Sequence, residues 1–195
     1  MDRLQKQLAL IIELDQLKSV LRRTRVKSAD KRLENSAEHS WHVALMAILM
    51  EEHANKPVDI ARVVKMLLLH DIVEIDAGDL FVYDTAAAPE QEEKELAAAY
   101  RLFGMLPDDQ AKDLLEIWLE FEQAESSDAK FAKALDRIIP MLLNHHNQGQ
   151  SWVEHGVSRE QALTINKKIE KGSTVLWDKA QQVIEDAVNN GWLKP

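Results

Sequence analysis

His70 and Asp71 stand side by side in LLLHDIVEID (67–76), with Glu74 four residues after the histidine. An imidazole beside a carboxylate is a mixed, borderline-hard donor set, suited to Mn, Fe, Co, Ni, Zn or, less well, Mg. Asp71 takes the next place in the apolar stripe Ile60, Val63, Val64, Leu67 and Leu68, so helical period puts it on a buried face. A lone carboxylate there is costly to desolvate unless it is paired or holds a metal. Neighbouring helical residues point about 100° apart, which lets His70 and Asp71 converge on an ion between them. An isolated His-Asp pair is more simply read as a capping aspartate beside a satisfied core histidine.

The pair has company. His39 opens an apolar segment just after a capping sequence, and Asp136 sits inside the apolar run AKALDRII. Each donor lies on or beside the core face of its own helix. The stretches ENSAEHSWHVALMA, LLLHDIVEIDAGDL and FAKALDRIIPML together resemble the HD-domain metal-dependent phosphohydrolases. Within them they are similar to the small HD proteins of the bacterial 5′-deoxynucleotidase group. The resemblance covers roughly residues 10–145. It implies one divalent metal ion held by His39, His70, Asp71 and Asp136, with room left for water and a phosphate oxygen. Such an ion polarises a phosphoryl group and acidifies bound water. The family pattern makes Glu74 the group that handles the proton of the attacking water or leaving oxygen, and sets Asp79, after Gly78, against substrate or water. Outside that pattern Glu74 would read as a solvated helix-end residue and Asp79 as a turn aspartate.

Arg22, Arg23, Arg25, Lys27, Lys31 and Arg32 form the one basic cluster, ending seven residues before His39. Members of the group often carry an arginine followed by an aromatic residue there. Here LKSVLRRTRV has Arg22-Arg23 and no aromatic, which leaves sugar and base preference open. An arginine grips two phosphate oxygens at once. Alignment to the flanking leucines puts Arg22 ahead of Arg23 for that task, and most of the other basic residues read as a solvated loop. Trp41 is close enough in sequence to His39 to line the pocket. Glu38 is explained as a capping residue, and His42, one turn after His39, is a candidate for a supporting role. His145-His146 can be read as a second metal pair, but these two and His155 fit better as surface histidines. Asn144 is nominally on the face of Asp136, with Pro140 between them.

The elements that must carry these residues are helical. Leu10, Leu14, Leu17 and Leu21 step by four, three and four. RRTRVKSADKR reads as a loop, and Asn35–Glu38 as a capping box before an apolar helix. Further helices are predicted over 90–103 and 109–123, after Ser126-Ser127-Asp128 with a kink at Pro140, after Ser158–Gln161, and over Thr174–Val188. NHHNQGQSWVEHGV reads as loop. No segment alternates with period two, so the fold class is all-α. Residues 1–195 are expected to form one HD domain, with a helical extension over about 158–190.

The chain has 195 residues, 46% of them apolar, and no cysteine. That excludes disulfides and thiol catalysis and fits a reducing compartment. A net charge of −9 argues against a nucleic-acid polymer as partner, though not against a mononucleotide. No stretch approaches the ~20 apolar residues of a membrane span, and no signal peptide is evident. The expectation is a cytoplasmic enzyme, a homodimer as HD proteins of this size often are, releasing phosphate from 5′-(deoxy)nucleoside monophosphates. The alternatives are hydrolysis of a nucleoside triphosphate, a cyclic nucleotide or a small phosphonate, or a metal- or nucleotide-binding sensor without chemistry. Glu74 and Asp79 weigh against the sensor, because a pure metal site needs neither.

Overall fold

The computed structural model describes residues 2–84 and 87–195. Asp2 caps α1 (Arg3–Glu13) by accepting the Gln5 N–H on its side chain, and Gln5 reaches back to the Asp2 N–H. The leucine stripe does not continue as one helix. The chain tightens into a 3₁₀ turn over Leu14–Ser19 and then enters strand β1 (Leu21–Arg25), antiparallel to β2 (Leu33–Asn35). Leu17 is buried but Leu21 is exposed. The basic stretch read as a loop is therefore largely a hairpin. Asp30 and Lys31, in the left-handed region, help reverse it. A two-stranded hairpin is marginal alone. This one packs β1 on α7 and β2 on α2, with Thr24 and Glu34 buried.

Asn35 caps α2 (Ser36–Met50): its side chain accepts the Glu38 N–H, and the Glu38 carboxylate accepts the Asn35 N–H. α2 packs along α3 (Ile60–Leu69), where Val63, Met66 and Leu67 are fully buried, worth roughly 1.5–3 kcal/mol each. α3 stops at Leu69. His70–Val73 form a 3₁₀ turn, followed by the single-turn α4 (Glu74–Ala77). Gly78 closes it at φ +74°, a conformation most residues resist, and so turns Asp79 back toward the fold.

Next come α5 (Ala88–Phe103), α6 (Asp108–Gln123) and α7 (Ser127–His146). α7 runs unbroken through Pro140. Pro140 has no N–H to give the carbonyl of Asp136, so the ladder lacks a bond at that residue. The stretch expected to be loop contains α8 (Gln150–His155), set off by Gly149 and Gly156 in left-handed conformations; six residues are too few to show a stripe. α9 (Arg159–Asn166), α10 (Ile169–Gly172) and α11 (Thr174–Asn189) complete the chain. Among the described residues no helix is long and apolar enough to cross a membrane.

Two apolar clusters hold these elements. The larger joins α2, α3, α7 and α11. The smaller joins α1, the turn after it, α5, α6, Ile72 and Val73. Leu69 packs against both. The turn bearing His70, Asp71 and Glu74 thus sits on the seam between two rigid bodies of side chains.

Candidate active site

His39 enters from the first turn of α2, His70 and Asp71 from the turn after α3, and Asp136 from the middle of α7. His39 is fully buried, and His70 and Asp71 nearly so. One ligand atom from each of His39, His70 and Asp136 lies within 4.8 Å of the others. His39 Nε2 is 2.9 Å from Asp136 Oδ1, and His70 Nε2 is 3.4 Å from the same oxygen. Asp71 Oδ1 stands 2.9 Å from His70 Nε2, and Asp71 Oδ2 3.9 Å from His39 Nε2. His39, His70 and Asp136 converge on one point; Asp71 stands beside His70 and is turned also to Arg22 rather than being part of that convergence.

The His70 ring is fixed from behind. Its Nδ1 is 2.8 Å from the Leu67 carbonyl, an acceptor, so Nδ1 carries the proton and the lone pair of the neutral ring sits on Nε2. That Nε2 is buried and makes no hydrogen bond, although two carboxylates stand beside it. Lone pairs of nitrogen and oxygen facing one another need a cation between them. Burial disfavours the charged imidazole, but Asp71 and Asp136 outweigh it and lift the His70 pKa to about 10. Burial would raise both carboxyls, but His70 and Arg22 hold Asp71 at about 2, and the contacts with His39 and His70 hold Asp136 well below the usual carboxylate range. A divalent ion satisfies this donor set as a proton does, and the residues present fit one. The Phe121 ring packs 5.0 Å from His70, and Trp118 Nε1–H donates to the His70 carbonyl.

Glu74 does not follow the helical wheel. In the 3₁₀ turn, residues three apart eclipse, so Glu74 comes to the side of Asp71. Both face Arg22: Nη1 donates to Asp71 Oδ2 at 2.7 Å and lies 3.7 Å from Glu74 Oε1 and from Asp79 Oδ1. Burial works against the guanidinium charge, but Asp71, Glu74, Asp79 and Asp136 outweigh it and raise the Arg22 pKa. Burial and the Asp71 charge push the Glu74 carboxyl well up, with Arg22 opposing. Asp79 is raised too, by burial first, against the pull of Arg22. Ser36 Oγ–H donates to Glu74 Oε2 and fixes its plane.

Strand alternation separates the two arginines. Arg22 is turned inward with Thr24, whereas Arg23 is exposed and reaches the rim of the same cleft. Of the remaining cations, Arg25 pairs with Glu154, Arg32 with Glu38, and Lys27 with the His146 carbonyl. Trp41 is not brought in: it is 63% exposed beside His42 and does not line the cleft. Two residues past His39 on a helix is about 200° round, the opposite face. His145 pairs with Asp186, and His155 stacks on Phe81, its Nδ1 near the Ser151 carbonyl. Asn144 is buried at the cleft wall and its side chain accepts the Ser151 N–H.

The cleft has a volume of about 550 Å³. Its walls include Phe81, Tyr83, Trp152, Arg137 and Lys168, none of which stood out in the sequence, because separate elements supply them. Glu34, buried behind His39 and Arg22, was also missed, though it opens the quoted ENSAEHS stretch.

Residues 14–177 match the HD domain family. The 5′-deoxynucleotidase HDDC2 of Bos taurus is 36% identical over 128 residues, 65% of this chain and 60% of that one. Its Homo sapiens counterpart is 34% identical over 65% and 61%. The chain's match thus spans about 60% of the length of these curated relatives. A crystal structure from Magnetospirillum magnetotacticum MS-1, described as a predicted metal-dependent phosphohydrolase, superimposes with a TM-score of 0.93 at 47% identity, covering 99% of this chain and 96% of that one. With the family match running over most of its length, the chain belongs to the HD domain family and is related to the 5′-deoxynucleotidases.

Proposed function

We propose that this protein is a metal-dependent phosphohydrolase that releases phosphate from 5′-(deoxy)nucleoside monophosphates. The observation that carries this reading is the convergence of His39, His70 and Asp136 on one point with Arg22 Nη1 within 4 Å of Asp71, Glu74 and Asp79. His39, His70, Asp71 and Asp136 would hold the divalent ion, which supplies Lewis acidity toward the phosphoryl oxygen and acidifies bound water. Arg22 presents its fork to the phosphoryl group and offsets charge that develops there. Hydrolysis joins a water oxygen to phosphorus and breaks the bond to the 5′ oxygen; that oxygen must gain a proton, and the attacking water gives one up, which returns the acid to its starting form. Glu74, its carboxyl kept toward the protonated form by burial and oriented by Ser36, delivers that proton. Asp79, across Arg22 from Glu74, positions the water. Phe81, Tyr83 and Trp152 give a nucleoside an apolar wall in place of the aromatic residue absent after Arg22.

A second reading, hydrolysis of a nucleoside triphosphate, is favoured by Arg137 and Lys168 along the same cleft. The two separate in one experiment. The protein is stripped of metal and assayed for phosphate or pyrophosphate release from nucleoside mono- and triphosphates with Mn, Co, Mg, Ni and Zn added back. Release of inorganic phosphate from the monophosphates, dependent on added metal, is the expected result. Pyrophosphate or tripolyphosphate from the triphosphates, with monophosphates inert, would overturn it.

A further inference from the structure

Three buried polar atoms behind the metal-ligand face lack a hydrogen-bond partner: Glu34 Oε2, His39 Nδ1 and Arg22 Nε. They turn toward one another. Glu34 Oε2 lies 3.7 Å from His39 Nδ1 and 3.9 Å from Arg22 Nε. Glu34 is 4% exposed and His39 0%, so bulk solvent does not serve these atoms. Native proteins rarely leave such groups unpaired, and here an acceptor stands between two donors. A shift of roughly 1 Å, or a bridging water, closes both contacts.

We infer that Glu34 is a positioning residue: its carboxylate takes the Nδ1–H of His39 and the Nε–H of Arg22, and so ties the metal ligand to the phosphate grip. The chemistry follows from the two ends of the imidazole. A proton fixed on Nδ1 leaves the lone pair on Nε2, the atom that faces Asp136 at 2.9 Å. A carboxylate behind a ligating histidine both orients the ring and raises its basicity. On Arg22, a carboxylate at Nε holds the plane of the guanidinium while Nη1 serves Asp71. Both donors face the one oxygen Oε2, so glutamine can still present an amide oxygen to them; what it lacks is the negative charge that raises the basicity of the imidazole. The placement comes from β2, whose inward residue is Glu34, and from the Asn35 cap, which starts α2 so that His39 returns over the strand end.

This inference rests on the metal reading above, and the experiment keeps the two apart. Mn²⁺ is titrated into metal-stripped wild-type protein, Glu34→Gln and Glu34→Ala by calorimetry, and the thermal midpoint of each metal-free protein is measured beside it. In zinc-loaded samples the histidine ¹⁵N shifts report which ring nitrogen of His39 is protonated. The expected result is Mn²⁺ affinity weakened ~10- to 100-fold in both variants, Ala more than Gln, with the Nδ1–H signature of His39 present in wild type and diminished in the variants. Glu34→Gln keeps the side-chain shape and decides the matter if Glu34→Ala fails to fold. Wild-type affinity in Glu34→Gln with an unchanged His39 signature overturns the inference, whatever happens to the thermal midpoint. A wild-type protein that binds no Mn²⁺, Zn²⁺ or other divalent ion removes the metal reading and this inference together.

Discussion

Two groups of histidines in this chain invite the same reading and behave oppositely. His39 and His70 lie 31 positions apart in the sequence, yet their ring centroids are 5.6 Å apart and both Nε2 atoms face carboxylates in a buried seam. His145 and His146 are adjacent in sequence and do not share a site. His145 pairs with Asp186 across to α11, and His146 is exposed near the end of α7. His145 is turned to an acidic partner on another helix while His146 faces solvent, so the two rings are committed to different surroundings. Charge makes the difference larger. Around His70 burial disfavours the charged ring, but Asp71 and Asp136 outweigh it and lift the pKa to about 10. Convergence from separate elements onto a desolvated seam, rather than spacing along the chain, marks the chemistry.

The sharpest way to break that contrast is to remove a carboxylate from the buried group. Asp71→Ala deletes one proposed ligand and leaves Arg22 and His70 without their nearest anion. Metal binding to the folded state stabilises it by mass action, about 2.7 kcal/mol at a hundred times the dissociation constant. The wild-type melting midpoint should rise on adding Mn²⁺, by the temperature shift that corresponds to about 2.7 kcal/mol at that excess, and the Asp71→Ala midpoint should not move. Elemental analysis of the purified variant should find no stoichiometric metal, and phosphate release should be abolished. Full occupancy in that variant would remove Asp71 from the ligand set.

Glu74 comes next. It shares the seam but is turned toward Arg22 and Ser36 rather than the histidines. Glu74→Ala should therefore keep the metal and lose ~10²–10⁴-fold in kcat, the usual contribution of a general acid–base group. Turnover at the wild-type rate would return Glu74 to the status of an ordinary buried carboxyl.

The contrast also shows what a sequence can reveal. Asp71 and Asp136 stand out because each interrupts an apolar stripe, where only a paired or metal-bound carboxylate is affordable. The caps at Asn35 and Ser158 are local chemistry and read directly. β1 and β2 do not, because five and three residues show too little alternation, and LRRTR looks like a solvated loop until Thr24 is seen buried. Glu34 is invisible for the same reason: its burial comes from the hairpin folding onto α2 and α7. Trp41 fails by direction, being on the outer face of the right helix. Leu21 continues the leucine spacing by coincidence, in a strand rather than a helix.

Arg22 and Lys27 test the hairpin at closer range. Both belong to the basic cluster, but Arg22 is drawn into the seam by four carboxylates while Lys27 meets only a backbone carbonyl at the surface. A hydrogen bond to a charged group contributes roughly 1.5–3 kcal/mol. Arg22→Ala should lower kcat/KM roughly 10- to 100-fold, mostly through KM if Arg22 grips phosphate in the ground state. Lys27→Ala should leave both constants near wild type. Saturation kinetics on the pair would show equal, small losses if the phosphate is held elsewhere.

The smallest effect is expected at the other histidine group. The His145–Asp186 pair is 2.6 Å long, but the two side chains are 32% and 54% exposed. Exposed pairs of this kind contribute about 0–1 kcal/mol, because water screens the charges and ordering two side chains costs entropy. His145 also rests edge-on against Trp192, so His145→Ala loses some packing near the end of the chain. Denaturant unfolding should register a destabilisation of at most ~1 kcal/mol, with Mn²⁺ affinity and phosphate release unchanged. A drop in metal affinity on that substitution would mean the two histidine groups are coupled through α7, whose middle carries Asp136 and whose last turn carries His145. The helix would then transmit a displacement at its C-terminus to the ligand, past the gap that Pro140 leaves in its ladder. Measured against Asp71→Ala, a null result at His145 confines the chemistry to the seam.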